Sequence, residues 1–171
     1  MIEKTHTSRS FLLTMLIFTV ALLLIPAGSE AAAPQIQANK QYFDFAKRLY
    51  ALEGNVVIVH QSRRLTTEKA TTNMVEVWAE GGITFEQDDM KLSGNSGYAN
   101  FLKNTVQITG AITFERNELR VTAEKVEFNW DTKLAVFTGD VTVKKGEETL
   151  TYETITYNVV NNEFQQNTEM K

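Results

Sequence analysis

The chain contains no cysteine, only two prolines (Pro26 and Pro34) and only two histidines (His6 and His60). Each scarcity excludes something. Without cysteine there are no disulfides, thiol nucleophiles or thiolate metal sites, so a folded domain must be held together by burial alone. With His60 the one histidine beyond the N-terminal segment, no two-histidine metal site or histidine relay can form there within one chain. Both prolines precede residue 35, so nothing after them lacks a ladder donor. Sustained helical spacing is absent as well, and almost no helix is expected after the first segment. No phosphate-binding loop of the G-x-x-x-x-G-K type occurs, which excludes nucleotide hydrolysis by this chain. The net charge is −4, which argues against nucleic acid and anionic membrane surfaces as partners.

What is present begins with an export pattern. Residues 1–31 run from a polar start with Lys4 and Arg9, through an apolar stretch from Phe11 to Pro26, to Ala27-Gly28-Ser29-Glu30-Ala31. This reads as a secretory signal cut after Ala31. An uncleaved anchor is the alternative, against which stands an apolar stretch slightly shorter than the ~20 residues that span a bilayer. Cleavage would remove Glu3, Lys4, Arg9 and Glu30 together, leaving the balance at −4. Of the 171 residues 43% are hydrophobic, enough for one domain with a real interior.

Beyond the signal the chain repeats. Gly54, Gly81, Gly110 and Gly139 are 27, 29 and 29 residues apart. Val56, Ile83, Ile112 or Val141 follows two residues later, Leu65, Leu92, Val121 or Leu150 eleven later, and Asn73, Asn100, Asn129 or Asn158 nineteen later. Such register over one period defines a repeat. Within it apolar and polar residues alternate, as in Ala135-Val136-Phe137-Thr138-Gly139-Asp140-Val141-Thr142-Val143-Lys144, and Val, Ile, Thr, Phe and Tyr dominate. That is the signature of strands with one buried face.

Two polar clusters interrupt each repeat: the series Gln61 to Arg64, Glu86 to Asp89, Glu115 to Glu118 and Lys144 to Glu148, and the series opened by the asparagines. Asparagine suits turns because its side chain bonds nearby backbone and tolerates the left-handed region. Two reversals per repeat give two antiparallel strands per repeat, a meander. The glycine falls inside the first strand and marks a bend. In the second strand Val121 and Val126, or Leu92 and Gly97, are five apart, which a straight strand would place on opposite faces, so a kink is expected near Thr67, Gly94, Ala123 and Tyr152. Phe43 to Gly54 matches Phe128 to Gly139 in character, so a half repeat precedes the first glycine, with Ile36 in the place of Val121. The expected fold is all-β, an antiparallel meander of bent strands closing into a V-shaped β-jelly roll over residues 34–164 after an N-terminal signal helix, with a polar tail over 165–171.

The stretches Leu52-Glu53-Gly54-Asn55-Val56-Val57-Ile58-Val59, Val121-Thr122-Ala123-Glu124-Lys125-Val126-Glu127-Phe128-Asn129 and Phe137-Thr138-Gly139-Asp140-Val141-Thr142-Val143 carry a resemblance. With their common register they resemble the LptA/OstA family of periplasmic lipopolysaccharide transport proteins, over Pro34 to Phe164 with the signal in front. Membership implies a β-jelly roll whose inner surface holds lipid A acyl chains between inner and outer membranes. Its implied partners are lipopolysaccharide or a related glycolipid, transport components of similar fold at each membrane, and further copies stacked head to tail. Its implied location is the periplasm, and neither cofactor nor catalysis is implied. Two departures stand out: Gly94 and Gly97 replace side chains on an inward face, and the repeat opened by Gly54 is two residues short.

The candidate groove is the inward stripe Ile36, Phe43, Leu52, Val56, Ile58, Leu65, Ile83, Phe85, Leu92, Ile108, Ile112, Phe114, Val121, Phe128, Phe137, Val141, Val143, Leu150, Ile155 and Tyr157. Plain core is the default reading of such residues. Acyl chains would favour the same stripe, at about 0.8 kcal/mol per buried methylene. Glu86-Gln87-Asp88-Asp89 is better explained as a polar turn than as a calcium site, which needs six to eight oxygens. Catalytic carboxylate pairs need burial or coupling to shift their pKa, whereas Glu124 and Glu153 sit among solvated strand positions. Two other readings stay open here: an LptC-like anchored relay with the same fold, and a structural β-solenoid of stacked parallel coils.

Overall fold

A computed structural model describes residues 35–60 and 62–165. The signal over 1–31 and the tail beyond Gln165 lie outside the described residues. The described chain forms β1 (Gln35–Gln37), β2 (Lys40–Asp44), β3 (Leu49–His60), β4 (Arg63–Thr72), β5 (Glu76–Gln87), β6 (Met90–Asn100), β7 (Thr105–Arg116), β8 (Leu119–Asn129), β9 (Leu134–Lys145), β10 (Glu148–Asn158) and β11 (Glu163–Gln165), with no helix among the described residues. β1 and β2 both lie against β3, and from β3 to β11 every strand pairs antiparallel with its successor. The meander of bent strands is thus observed, as an open curled sheet, and the antiparallel registers overturn the parallel solenoid. Gln165, expected in the tail, pairs with Thr156 as the last residue of β11.

Each bend is a register jump in which two residues face one. Glu53 pairs with Lys69 and then Val56 with Thr67, so Gly54-Asn55 oppose Glu68 alone. The same happens at Gly81-Gly82 opposite Asn95 and at Gly110-Ala111 opposite Glu124. Gly110 and Gly139 have φ of 79° and 83°, and the residues after them, Ala111 and Asp140, are also left-handed at 50° and 44°. An extra residue on one strand sharpens the local twist and turns the strand back over its own buried face. On the even strands the kink falls at Glu68, Asn95, Glu124 and Glu153, one residue beyond the expected positions. Its effect on parity is as expected: in β8 Val121 and Ala123 are buried, and so is Val126. β1 and β2 are the two arms of one such strand, broken at Asn39, whose N–H donates to Gly54 O at 2.9 Å.

The asparagine turns close in one way. The Oδ1 of Asn129 accepts from Asp131 N (2.9 Å) and Thr132 N (3.0 Å), and Asn73, Asn100 and Asn158 accept likewise from the residues after them. Asp44 does this in the half repeat, toward Ala46 N and Lys47 N. The two missing residues of the short repeat fall in the Asn73 turn, where Met74 takes the left-handed conformation at φ 76°. The deletion therefore shortens a turn and leaves the strand interiors in register.

Burial is uneven along the sheet. A large core runs from Ala79 in β5 to Tyr157 in β10, whereas the first strands share a small one of Leu52, Val56 and Ala70.

An inward apolar trough as the candidate functional site

The bends bring the expected residues into rows that cross the sheet. One row steps through cross-strand partners from Ile36 to Ile58, Leu65, Phe85, Leu92, Phe114, Val121, Val143 and Leu150. It carries an apolar side chain on every strand from one sheet edge to the other. At about 4.8 Å per strand it measures roughly 38 Å. A second row, beyond the bend, runs from Leu52 through Ala70, Ala79, Gly97, Ile108, Val126 and Phe137 to Ile155. A third, nearer the asparagine turns, runs from Phe43 and Tyr50 through Val77, Ala99, Val106, Phe128 and Ala135 to Tyr157 and Phe164.

The members differ in access. Leu52, Val56, Ile83, Leu92, Ile108, Ile112, Phe114, Val121, Phe137, Val141, Val143, Ile155 and Tyr157 are buried, and Ile58, Leu65, Phe85 and Phe128 are half-buried. Ile36, Phe43 and Leu150, at the two sheet edges, are exposed at 43%, 36% and 42%. The edge-to-edge row is thus closed in its middle and open at both ends.

Residue size explains the gradient. The second row is small over β4 to β6 (Ala70, Ala79, Gly97) and large over β7 to β10 (Ile108, Val126, Phe137, Ile155). Small residues leave Leu65 and Phe85 partly uncovered, whereas the bulky half fills its own interior. The two departures noted in the sequence belong here. A Cβ at Gly94 would lie 2.5 Å from Ile108 Cγ2, and one at Gly97 2.7 Å from Ile83 Cδ1, so isoleucines of neighbouring strands occupy the space the glycines vacate. The inward alanines escaped sequence reasoning, although their spacing from Leu52 and Ile83 carried the signal.

The interior of the bulky half is filled by aromatic rings and bridged by an arginine. Phe114 lies 5.7 Å from Phe137 and 5.4 Å from Tyr157, and Phe164 lies 5.0 Å from Tyr157, centroid to centroid. From the end of β7, Arg116 donates through Nη1 to Val159 O (2.6 Å) and Tyr157 Oη (3.4 Å), and through Nε to Asp89 Oδ2 (2.9 Å). The hydrogen bond from Arg116 holds the Asp89 carboxyl below the usual carboxylate range and raises the guanidinium in turn. One side chain therefore ties the two ends of the bent strands together over the trough.

The acidic side chains near the trough make local structural contacts. Asp89, from the acidic turn, is engaged by Arg116 and by Asn117 Nδ2 at 3.1 Å. Among the described residues no group of three or more His, Cys, Asp or Glu side chains could hold a metal ion. Glu124 is exposed above Gly139, and Glu153 is exposed on β10. Glu76 accepts from Tyr98 Oη and from Asn73 Nδ2 (3.1 Å), and the tyrosine's bond lowers its pKa. That network braces a corner between β5 and β6.

Comparison with known proteins agrees with this geometry. The family described as the LptA/(LptD N-terminal domain) LPS transport protein matches residues 35–163. Among solved structures, the chain is similar to LptH of Pseudomonas aeruginosa, described as the LptA-homologous periplasmic component of the conserved lipopolysaccharide transport device. The two share 19% sequence identity at a TM-score of 0.51, over 57% of this chain and 76% of that one. At that identity the likeness speaks for the fold. No curated protein sequence matches. With the family spanning nearly the whole described chain, and the strand order and bent meander to go with it, the chain belongs to the LptA/LptD N-terminal domain family of lipopolysaccharide transport proteins.

Proposed function

We propose that this chain is a non-catalytic periplasmic carrier that holds the acyl chains of lipopolysaccharide in its inward trough and, stacked end to end, bridges the inner and outer membranes. The observation that supports this most is the row from Ile36 to Leu150, apolar on every strand and exposed at both edges. A core that served stability alone would gain nothing from surfacing at the sheet edges, where exposed apolar area costs about 25 cal/mol per Å². A path that hands lipid from one body to the next must surface there. On this reading chains enter at the wider half of the trough, beside the alanines, which the half burial of Leu65 and Phe85 supports. The family's lipopolysaccharide transport role and the export pattern of residues 1–31 support the lipid and the compartment.

Photo-crosslinking tests the reading. A photoreactive residue at Phe85 or Phe128 should capture lipopolysaccharide, whereas one at the outward neighbours Thr84 or Glu127 should not. Equal capture at inward and outward positions, or capture of phospholipid in preference to lipopolysaccharide, would refute it.

A further inference from the structure

The turns that follow Asp44, Asn73, Asn100, Asn129 and Asn158 all lie at one end of the strands, because a meander reverses alternately at its two ends. This rim carries the most exposed large apolar side chains among the described residues: Phe45 (84%), Leu102 (81%), Val160 (71%), Met74 (69%) and Phe101 (53%). The opposite rim turns on Asp88-Asp89, Asn117-Glu118 and Gly146-Glu147, with no exposed large apolar side chain in those turns. Turns are normally polar, so five exposed apolar residues in four turns of one rim require a reason.

The tips are fixed in place. Phe101 N donates to Val75 O (2.9 Å), Trp130 N to Asn104 O (2.8 Å) and Val159 N to Lys133 O (3.0 Å), so the turns after Asn100, Asn129 and Asn158 are each stapled to the one before. Phe101 stacks on Trp130 at 6.2 Å and 12°. Basic side chains stand among the tips: Lys47, Arg48, Lys103 and Lys133. Two acidic residues share these turns, Asp44, which pairs with Lys47 Nζ at 3.9 Å and accepts from two backbone N–H groups, and Asp131, which accepts from Asn104 Nδ2 at 3.1 Å at both oxygens, so the basic residues outnumber them four to two.

We propose that this rim docks on the interfacial zone of an anionic lipid bilayer, with Met74, Phe101 and Leu102 immersed and Lys103 and Lys133 against headgroup phosphates. Neighbouring turns at this end are two strand spacings apart, about 10 Å, with hydrogen-bonded backbone between them. Apart from the Phe101–Trp130 stack, tips at that spacing are divided by backbone and offer a protein partner no broad apolar face, but each can enter a bilayer separately, and cations beside apolar residues are the usual composition of an interfacial anchor. The overall charge of −4 speaks against an anionic surface only on average. Local charge decides at short range, because screening confines it to about 8 Å. This inference stands apart from what the trough carries.

A chain without cysteine allows a site-specific test that a membrane-active N-terminal segment cannot confound. An environment-sensitive fluorophore is attached to the full chain at Leu102→Cys and, separately, at Glu118→Cys on the opposite rim. Vesicles of phosphatidylcholine, with or without phosphatidylglycerol, are then added. The expected result is a several-fold brightening and blue shift at residue 102 with the anionic vesicles alone, none at residue 118, and loss of the response on Lys103→Glu/Lys133→Glu or at high salt. The proposal is overturned if the label at 102 stays aqueous, if both positions respond alike, if neutral vesicles serve equally well, or if the label responds to protein concentration without lipid, which would make the rim a contact between copies.

Discussion

Glu124 lies over Gly139 so closely that a Cβ on the glycine would come within 2.5 Å of its Oε2 and 2.9 Å of its Cβ. Gly110 has the same relation to Asn95, with 2.7 Å to Nδ2. The glycines are thus required twice, by a left-handed backbone and by the side chain opposite. Gly139→Ala should destabilise by about 1–3 kcal/mol, a fall in thermal midpoint of several degrees. Adding Glu124→Ala should restore only the steric part, because the φ of 83° remains. A double variant as stable as the wild type would show that crowding, and not backbone strain, is what the glycine relieves.

The turn asparagines should respond to chemistry and not to size. Asn129→Ala strips the acceptor from Asp131 N and Thr132 N and should cost about 0.5–2 kcal/mol in urea unfolding. Asn129→Asp keeps the acceptor and should cost little. Equal losses in the two variants would mean that the side chain packs there and does not cap.

Much of this was legible beforehand, because repeat, alternation and turn chemistry are local signals that recur. The period located the bends and the capped turns, and a five-residue spacing such as Val121 to Val126 disclosed the kink. What stayed hidden depends on contacts across the sheet. Ala70 and Ala79 look unremarkable one strand at a time, and only the register shows that they widen the trough beside Leu65 and Phe85. Arg116 reaches Val159, distant in sequence, and no spacing rule anticipates such a tie. β11 is three residues long, too short for its alternation to register.

The tie made by Arg116 predicts a pH signature. The folded-state pKa of Asp89 is depressed, chiefly by the hydrogen bond from Arg116, so the stabilisation is fully present above the ordinary carboxylate value of about 3.9 and is lost as pH falls through the folded value. Arg116→Met should therefore lower stability near neutral pH, the hydrogen bond to Val159 O alone accounting for about 1 kcal/mol. It should also flatten the acid limb of the stability curve below that value. Parallel acid limbs in wild type and variant would assign the low-pH loss to other carboxylates.

The end-to-end reading predicts which edge is the joint. β11 covers β10 only at Thr156, Tyr157 and Asn158, so Glu148 to Tyr152 pair with β9 on one side and with no described strand on the other. Ile155, whose replacement by proline would otherwise suggest itself as a block, is buried at 2% and opposes Phe137, so proline there would damage the core before it tested an edge. Thr151 is the better probe. It is exposed, and in a hairpin closed by the two-residue turn Gly146-Glu147 the alternation of the ladder points its N–H away from β9. Proline is tolerated at such an outward position while it removes the donor a neighbouring strand would use. Docking β1 of one copy there would set Ile36 beside Leu150 and continue the apolar row into the next protomer, and because the two surfaces differ, the contact propagates as a rod. Light scattering should show oligomers that lengthen with concentration in the wild type and remain short in Thr151→Pro, with an unchanged thermal midpoint. Rods of equal length in both would place the joint elsewhere.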